Sequence, residues 1–165
     1  MEIKGQISLE LILLIGFIIV LILGIASFLG NDNELNQAMS AARSGATEGA
    51  NTDSFAIYPE EAFKNYTAEH KRLLNPSSLK IIEINYTNQG FSEKYNKTKI
   101  QLKISASVPS VRDSSDRNAL GDRVNFYARK SICESFSTSD QTNEMFNPAF
   151  SNKYVITTSD VTWVN

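Results

Sequence analysis

One stretch of the chain restricts its surroundings more than any other. From Leu11 to Leu29 the sequence reads LILLIGFIIVLILGIASFL, 19 residues without a charge and with Ser27 as the single polar side chain. As a helix it is about 28 Å long at roughly 1.5 Å per residue, close to the roughly 30 Å hydrocarbon core of a bilayer. A helix at the edge of a soluble core carries a polar stripe, whereas this one is apolar all round. Its surroundings must therefore be lipid, or other apolar helices. A secretory signal peptide has an apolar stretch of only about 7–15 residues behind a basic start. Here the stretch is longer, and Lys4 is the only basic residue before it.

A plain single-pass anchor fits the length but leaves Glu10 unexplained. This carboxylate stands directly against the apolar run. A charge within a membrane helix costs about 2.5–3.5 kcal/mol on insertion scales, less near the interface, and an anchor gains nothing from it.

The stretch Lys4-Gly5-Gln6-Ile7-Ser8-Leu9-Glu10-Leu11-Ile12-Leu13-Leu14 resembles the class III signal of archaeal type IV pilins: a short leader, a Lys-Gly cleavage site, Gln-x-Ser-x-Glu, then an apolar helix. Gln6, Ser8 and Glu10 match at the family spacing, and the resemblance covers only about the first thirty residues. It implies removal of residues 1–5, the cytoplasmic leader, by a membrane-embedded prepilin peptidase that cuts between Gly5 and Gln6. It also implies assembly of many copies by a pilus ATPase and membrane platform. The expected partners are thus other pilin copies, the peptidase, the assembly machinery and, before assembly, membrane lipid. Cleavage exposes a positive amine at Gln6. In a filament that amine and the Glu10 carboxylate of a neighbour would pair, each offsetting the other's desolvation and fixing the register between subunits.

The organisation expected downstream is α+β. Residues 6–50 read as one long hydrophobic-to-amphipathic helix, membrane span first and filament core later. Gly30-Asn31-Asp32-Asn33 is a break signal within it. Ala38, Ala41, Ala42, Ser44, Gly45 and Ala46 are small enough for close approach to a neighbour. Residues 51–165 read as an extracellular head, large enough for its own core, with an antiparallel sheet packed on one or two helices. Pro59 to Leu74 has a helix start and helical spacing. Leu79 to Tyr86 reads as a strand, and Asn88-Gln89-Gly90 as a turn. Lys99 to Val108 alternates, with Ile100, Leu102, Ile104, Ala106 and Val108 on one face and Lys99, Gln101, Lys103, Ser105 and Ser107 on the other. Pro109 to Asp122 reads as a polar loop, Leu120 to Phe136 as a helix, Ser135 to Asn152 as irregular, and Lys153 to Val164 as strand.

Composition argues against other classes. The net charge is −2, so no basic excess exists to neutralise a nucleic-acid backbone. One cysteine and one histidine exclude an internal disulfide and every paired-His metal motif. No cofactor is called for. His70 and Cys133 lack any surrounding catalytic signature, and Ser77-Ser78-Leu79-Lys80 has Ser-x-x-Lys spacing without its supporting motifs. The expected protein is therefore no enzyme. Arg112 to Asp116 and Lys94 to Lys99 read as solvated loops. N-glycosylation sequons begin at Asn65, Asn85 and Asn96, no more than chance gives in a chain so rich in Asn, Ser and Thr. Their weight comes from the extracellular topology, and Asn96 is the best placed. The functional expectation is a structural subunit of an archaeal pilus-like surface filament serving adhesion. The alternatives are a membrane-anchored extracellular binding domain, a minor pilin or an archaellin.

Overall fold

A computed structural model describes residues 3–52 and 79–164, with side chains described for 9–26 and 33–52 of the first stretch. Helix α1 runs Ile3–Asn51, 49 residues. Strands β1 (Lys80–Ser92) and β2 (Lys97–Ser107) follow, then α2 (Ser114–Ser135), a 3-10 turn at Ser139–Gln141, and strands β3 (Ala149–Phe150), β4 (Tyr154–Thr158) and β5 (Thr162–Trp163). The chain divides into two compact units, the first ending at Leu35 and the second beginning at Asn36. The break signal at Gly30 to Asn33 does not interrupt the helical backbone. The predicted helix Pro59 to Leu74 lies outside the described residues.

In the first unit, Leu9–Ala26 has a mean hydropathy of 3.0 and none of it is buried. The second unit has a core of its own. Ala38, Ala42, Ala46 and Ala50 recur every four residues on α1 and are all buried, because positions four apart share one helix face. Ala46 and Ala50 meet Leu120, Val124 and Ala128 of α2 and Ile84, Ile104 and Ala106 of the sheet in one cluster. Helix α2 crosses this face closely. A Cβ on Gly45 would overlap the Tyr127 carbonyl oxygen and stand 2.7 Å from Ser131 Cβ. One on Gly49 would stand 3.0 Å from Tyr127 Cβ. The neighbour that Gly45 and Ala46 approach is thus a helix of the same head, and Gln37 Nε2 reinforces the pair by donating to Ser135 O at 3.2 Å.

The polar stretch before α2 is not the loop expected through Asp122. Asp113 caps the helix by accepting from Ser115 N–H at 3.3 Å, and Arg117 Nε donates to Val111 O at 2.8 Å. Ala119 and Leu120 are already buried. At the other end Ser137 takes a positive φ of 54°, and Thr138 N–H returns to Cys133 O at 2.8 Å. The left-handed residue after a helix end is usually Gly.

The sheet order is β1-β2-β4-β3, with β5 also on β2. Pairs β1–β2 and β3–β4 are antiparallel as expected, while β2–β4 and β2–β5 are parallel, so the sheet is mixed. The alternation in β2 holds: Ile100, Leu102, Ile104, Ala106 and Val108 are all about 1% exposed or less. Asn88 to Gly90 is a bulge within β1 rather than a turn. The register shifts between Asn88 and Phe91, Gly90 has φ 85°, and its N–H donates to Asn88 Oδ1 at 2.8 Å. The hairpin turns instead over residues 93–96. Between β4 and β5 the chain bulges at residues 159–161, where Ser159 N–H and Oγ both donate to Leu102 O.

Candidate functional site

The N-terminal motif lies on helical backbone throughout. Helix α1 begins at Ile3, so Lys4, Gly5, Gln6 and Ser8 are all helical, including the bond expected to be cut. Gln6 and Glu10 are four residues apart and so share one helix face. Glu10 is exposed, and the run behind it is exposed on every side: Leu9 63%, Ile12 67%, Phe17 62%, Val20 67%. Gly16 and Gly24 have no heavy atom near a would-be Cβ. The sixteen uncharged residues from Leu11 to Ala26 have no solution in water alone. The arrangement is that of a membrane-associated or signal-anchor segment, long enough to cross a bilayer.

The sequons fall differently. Asn85 is exposed at the middle of β1 and pairs with Lys103, on the polar face of the sheet. Asn96 is exposed in the hairpin turn, with a left-handed φ of 52°. Asn65 lies outside the described residues, as do His70, Ser77 and Ser78.

Lys94 to Lys99 is more than a solvated loop. Lys97 opens β2, and its Nζ donates to the carbonyls of Ser151 and Asn152, each at 2.7 Å. This ties the β1–β2 hairpin to the segment before β4. Thr98 N–H adds a bond to Lys153 O at 3.0 Å, and the Tyr95 ring meets Phe150 edge-on at 5.5 Å. The sequence carries no sign of this clamp, because its acceptors lie more than fifty residues further along.

Cys133 is buried. Burial pushes its thiol above the ordinary range, while the backbone at Phe150, Thr138 and Arg129 pull the other way. It packs as a small apolar side chain. Asp122 of α2 and Asp160 of the bulge face one cavity of about 200 Å³, with Asn118, Gly121, Val161 and Trp163. Burial first, and then the Asp160 charge, push the Asp122 carboxyl up; Arg129 opposes them. Among the described residues no group of three or more His, Cys, Asp or Glu is placed to hold a metal ion.

No protein-family model matches this chain, and neither does any curated protein or solved structure.

Proposed function

We propose that the protein is a non-enzymatic structural subunit of an archaeal pilus-like surface filament, cut between Gly5 and Gln6 and assembled through its N-terminal helix. A long apolar N-terminal helix followed by a β-sheet head is consistent with a type IV pilin-like fold in general, and with a membrane-associated structural or adhesive protein. The observation that carries the finer reading is the fully exposed Leu9–Ala26 segment with Glu10 at its edge. Lipid would cover that surface in the precursor. Copies of the same helix would cover it in the filament, where Glu10 meets a neighbour's Gln6 amine. Heads joined head-to-tail without closing make an open fibre. Asn96 and then Asn85 are the glycan positions this topology favours.

The test is the mature N-terminus, read by peptide mass spectrometry on surface material sheared from native cells. The expected peptide begins at Gln6, with its amine free or cyclised. A chain beginning at Met1 and retained in the membrane would overturn the filament reading in favour of an anchored ectodomain. A second measurement isolates assembly: Glu10→Ala should be processed normally yet give little filament, and a normal yield would remove the pairing argument.

A further inference from the structure

We propose that the outer face of the head's sheet binds an acidic polysaccharide. This deepens the adhesive part of the reading above and rests on the head facing outward. The helices α1 and α2 cover the other face, in the core that holds Ile84, Ile104 and Ala106. The outer face carries Lys99, Gln101, Lys103, Ser105 and Ser107 of β2. Beside them in register stand Thr87, Asn85, Glu83 and Lys80 of β1, with Thr157 of β4 next to Gln101.

Lys99 and Lys103 are four residues apart, and Lys80 lies opposite Ser107, four further on. At roughly 3.3 Å per residue the three lysine positions recur about every 13 Å along the sheet. Among the described residues none of the three has a carboxylate within ion-pair distance, unlike Lys130, whose Nζ stands 3.7 Å from Glu134 Oε1. Glu83 is the single carboxylate on the face, against three lysines. The chain as a whole is −2, so this positive field is local rather than a general excess.

The rest of the face identifies the kind of partner. A protein interface is anchored by apolar and aromatic side chains. The exposed aromatics of β1, Tyr86 and Phe91, pair with Leu102 and Thr98 and so lie on the opposite side, and Ile82, exposed at the register shift beside Glu83, is too small a patch to anchor a protein interface. Nucleic acid draws on arginine forks for phosphate and aromatic rings for bases; β1, β2 and β4 carry no arginine, and the ring in register with Val155 and Lys99, that of Phe150, is buried. It offers lysine point charges set among amides and hydroxyls. Those suit a hydrated chain bearing carboxylates and hydroxyl groups.

The probe is sodium alginate, a polyuronate, with uncharged dextran as control. Binding is measured on the full chain in detergent micelles, with intact mass confirming an unmodified Asn85, since a sugar there would stand on the same face. The chain should bind alginate and ignore dextran, and binding should fade as salt rises and the screening length shortens. Lys99→Glu with Lys103→Glu should weaken binding about tenfold, two surface charge contacts being reversed. Glu83→Gln should tighten it about twofold, and Lys130→Glu on α2 should leave it unchanged. Melting curves check that each variant folds, and the Lys99→Gln, Lys103→Gln pair replaces the reversals if they do not. Undiminished binding by the double variant, equal binding to dextran, or retention of duplex DNA in place of alginate would overturn the proposal. A Met1 start with alginate binding intact would overturn the filament reading alone. Gln6-processed filaments whose subunit fails to bind alginate would overturn this inference alone.

Discussion

Gly16 and Gly24 sit in the same helix as Gly45 and Gly49, and the two pairs have opposite meanings. Around the first pair a Cβ would meet nothing, while around the second it would strike α2. From Leu9 to Ala26, α1 keeps its apolar surface uncovered. The upper part buries an alanine every four residues against its own head. One helix is thus written for two environments, the first supplied from outside the chain and the second built by it. Glycine content alone does not separate them; what surrounds each glycine does.

Substitutions can break this contrast. The largest effect expected is on the lower region. Ile18→Lys should oppose membrane insertion by about 3 kcal/mol and leave the melting of the head unchanged. Carbonate extraction of membranes reads the first and near-UV circular dichroism the second. Gly45→Val should do the reverse. Its side chain has no room beside Tyr127 and Ser131, so the head should lose about 2–3 kcal/mol in denaturant titration while insertion is kept. Gly24→Val is the matched control, expected to leave head stability where it was. If Gly45→Val and Gly24→Val behaved alike, the division of the helix would fail.

A smaller effect sharpens the picture inside the head. Lys97→Met removes two 2.7 Å bonds to backbone carbonyls and should lower stability by about 1–2 kcal/mol, seen as an earlier midpoint in urea. The smallest effect concerns Asp122. Its proton is held more tightly in the folded chain than in the unfolded one, so this group adds stability at low pH that is lost as pH rises through the raised value. Asp160→Asn removes the like charge. It should raise stability slightly at neutral pH, and the gain should vanish below the ordinary carboxylate range, where Asp122 is protonated in both states. Thermal melts of the two proteins across acid to neutral pH test the sign.

The parts of the fold legible in the sequence were those where a local pattern and a local cause coincide. The period-two alternation of β2 reports one buried face, and the apolar run of α1 reports a missing solvent. The start of α2 was hidden because Pro109 to Asp122 reads as a polar stretch, while its helix is held by a cap at Asp113 and by burial of Ala119 and Leu120. Asp113 three residues before Asp116 was the available signal. Asn88-Gln89-Gly90 has turn chemistry, but the structure spends it on a bulge, and a left-handed glycine serves either purpose. The lysine clamp and the parallel pairs of β2 were out of reach, because nothing near β2 encodes a partner so far along the chain.

That distance also sets an order of events. Thr98 pairs with Tyr154, and Ser105 with Thr162, so β2 waits for residues 56 or 57 positions later before its second edge is filled. Contacts of such long sequence separation are slow to form. A chain threaded outward from its N-terminal helix would leave the second edge of β2 without its ladder partners until residues 154–163 had arrived. The head is therefore expected to close late, after those residues have emerged, leaving an interval in which the open sheet is vulnerable to proteases and to mispairing with its neighbours.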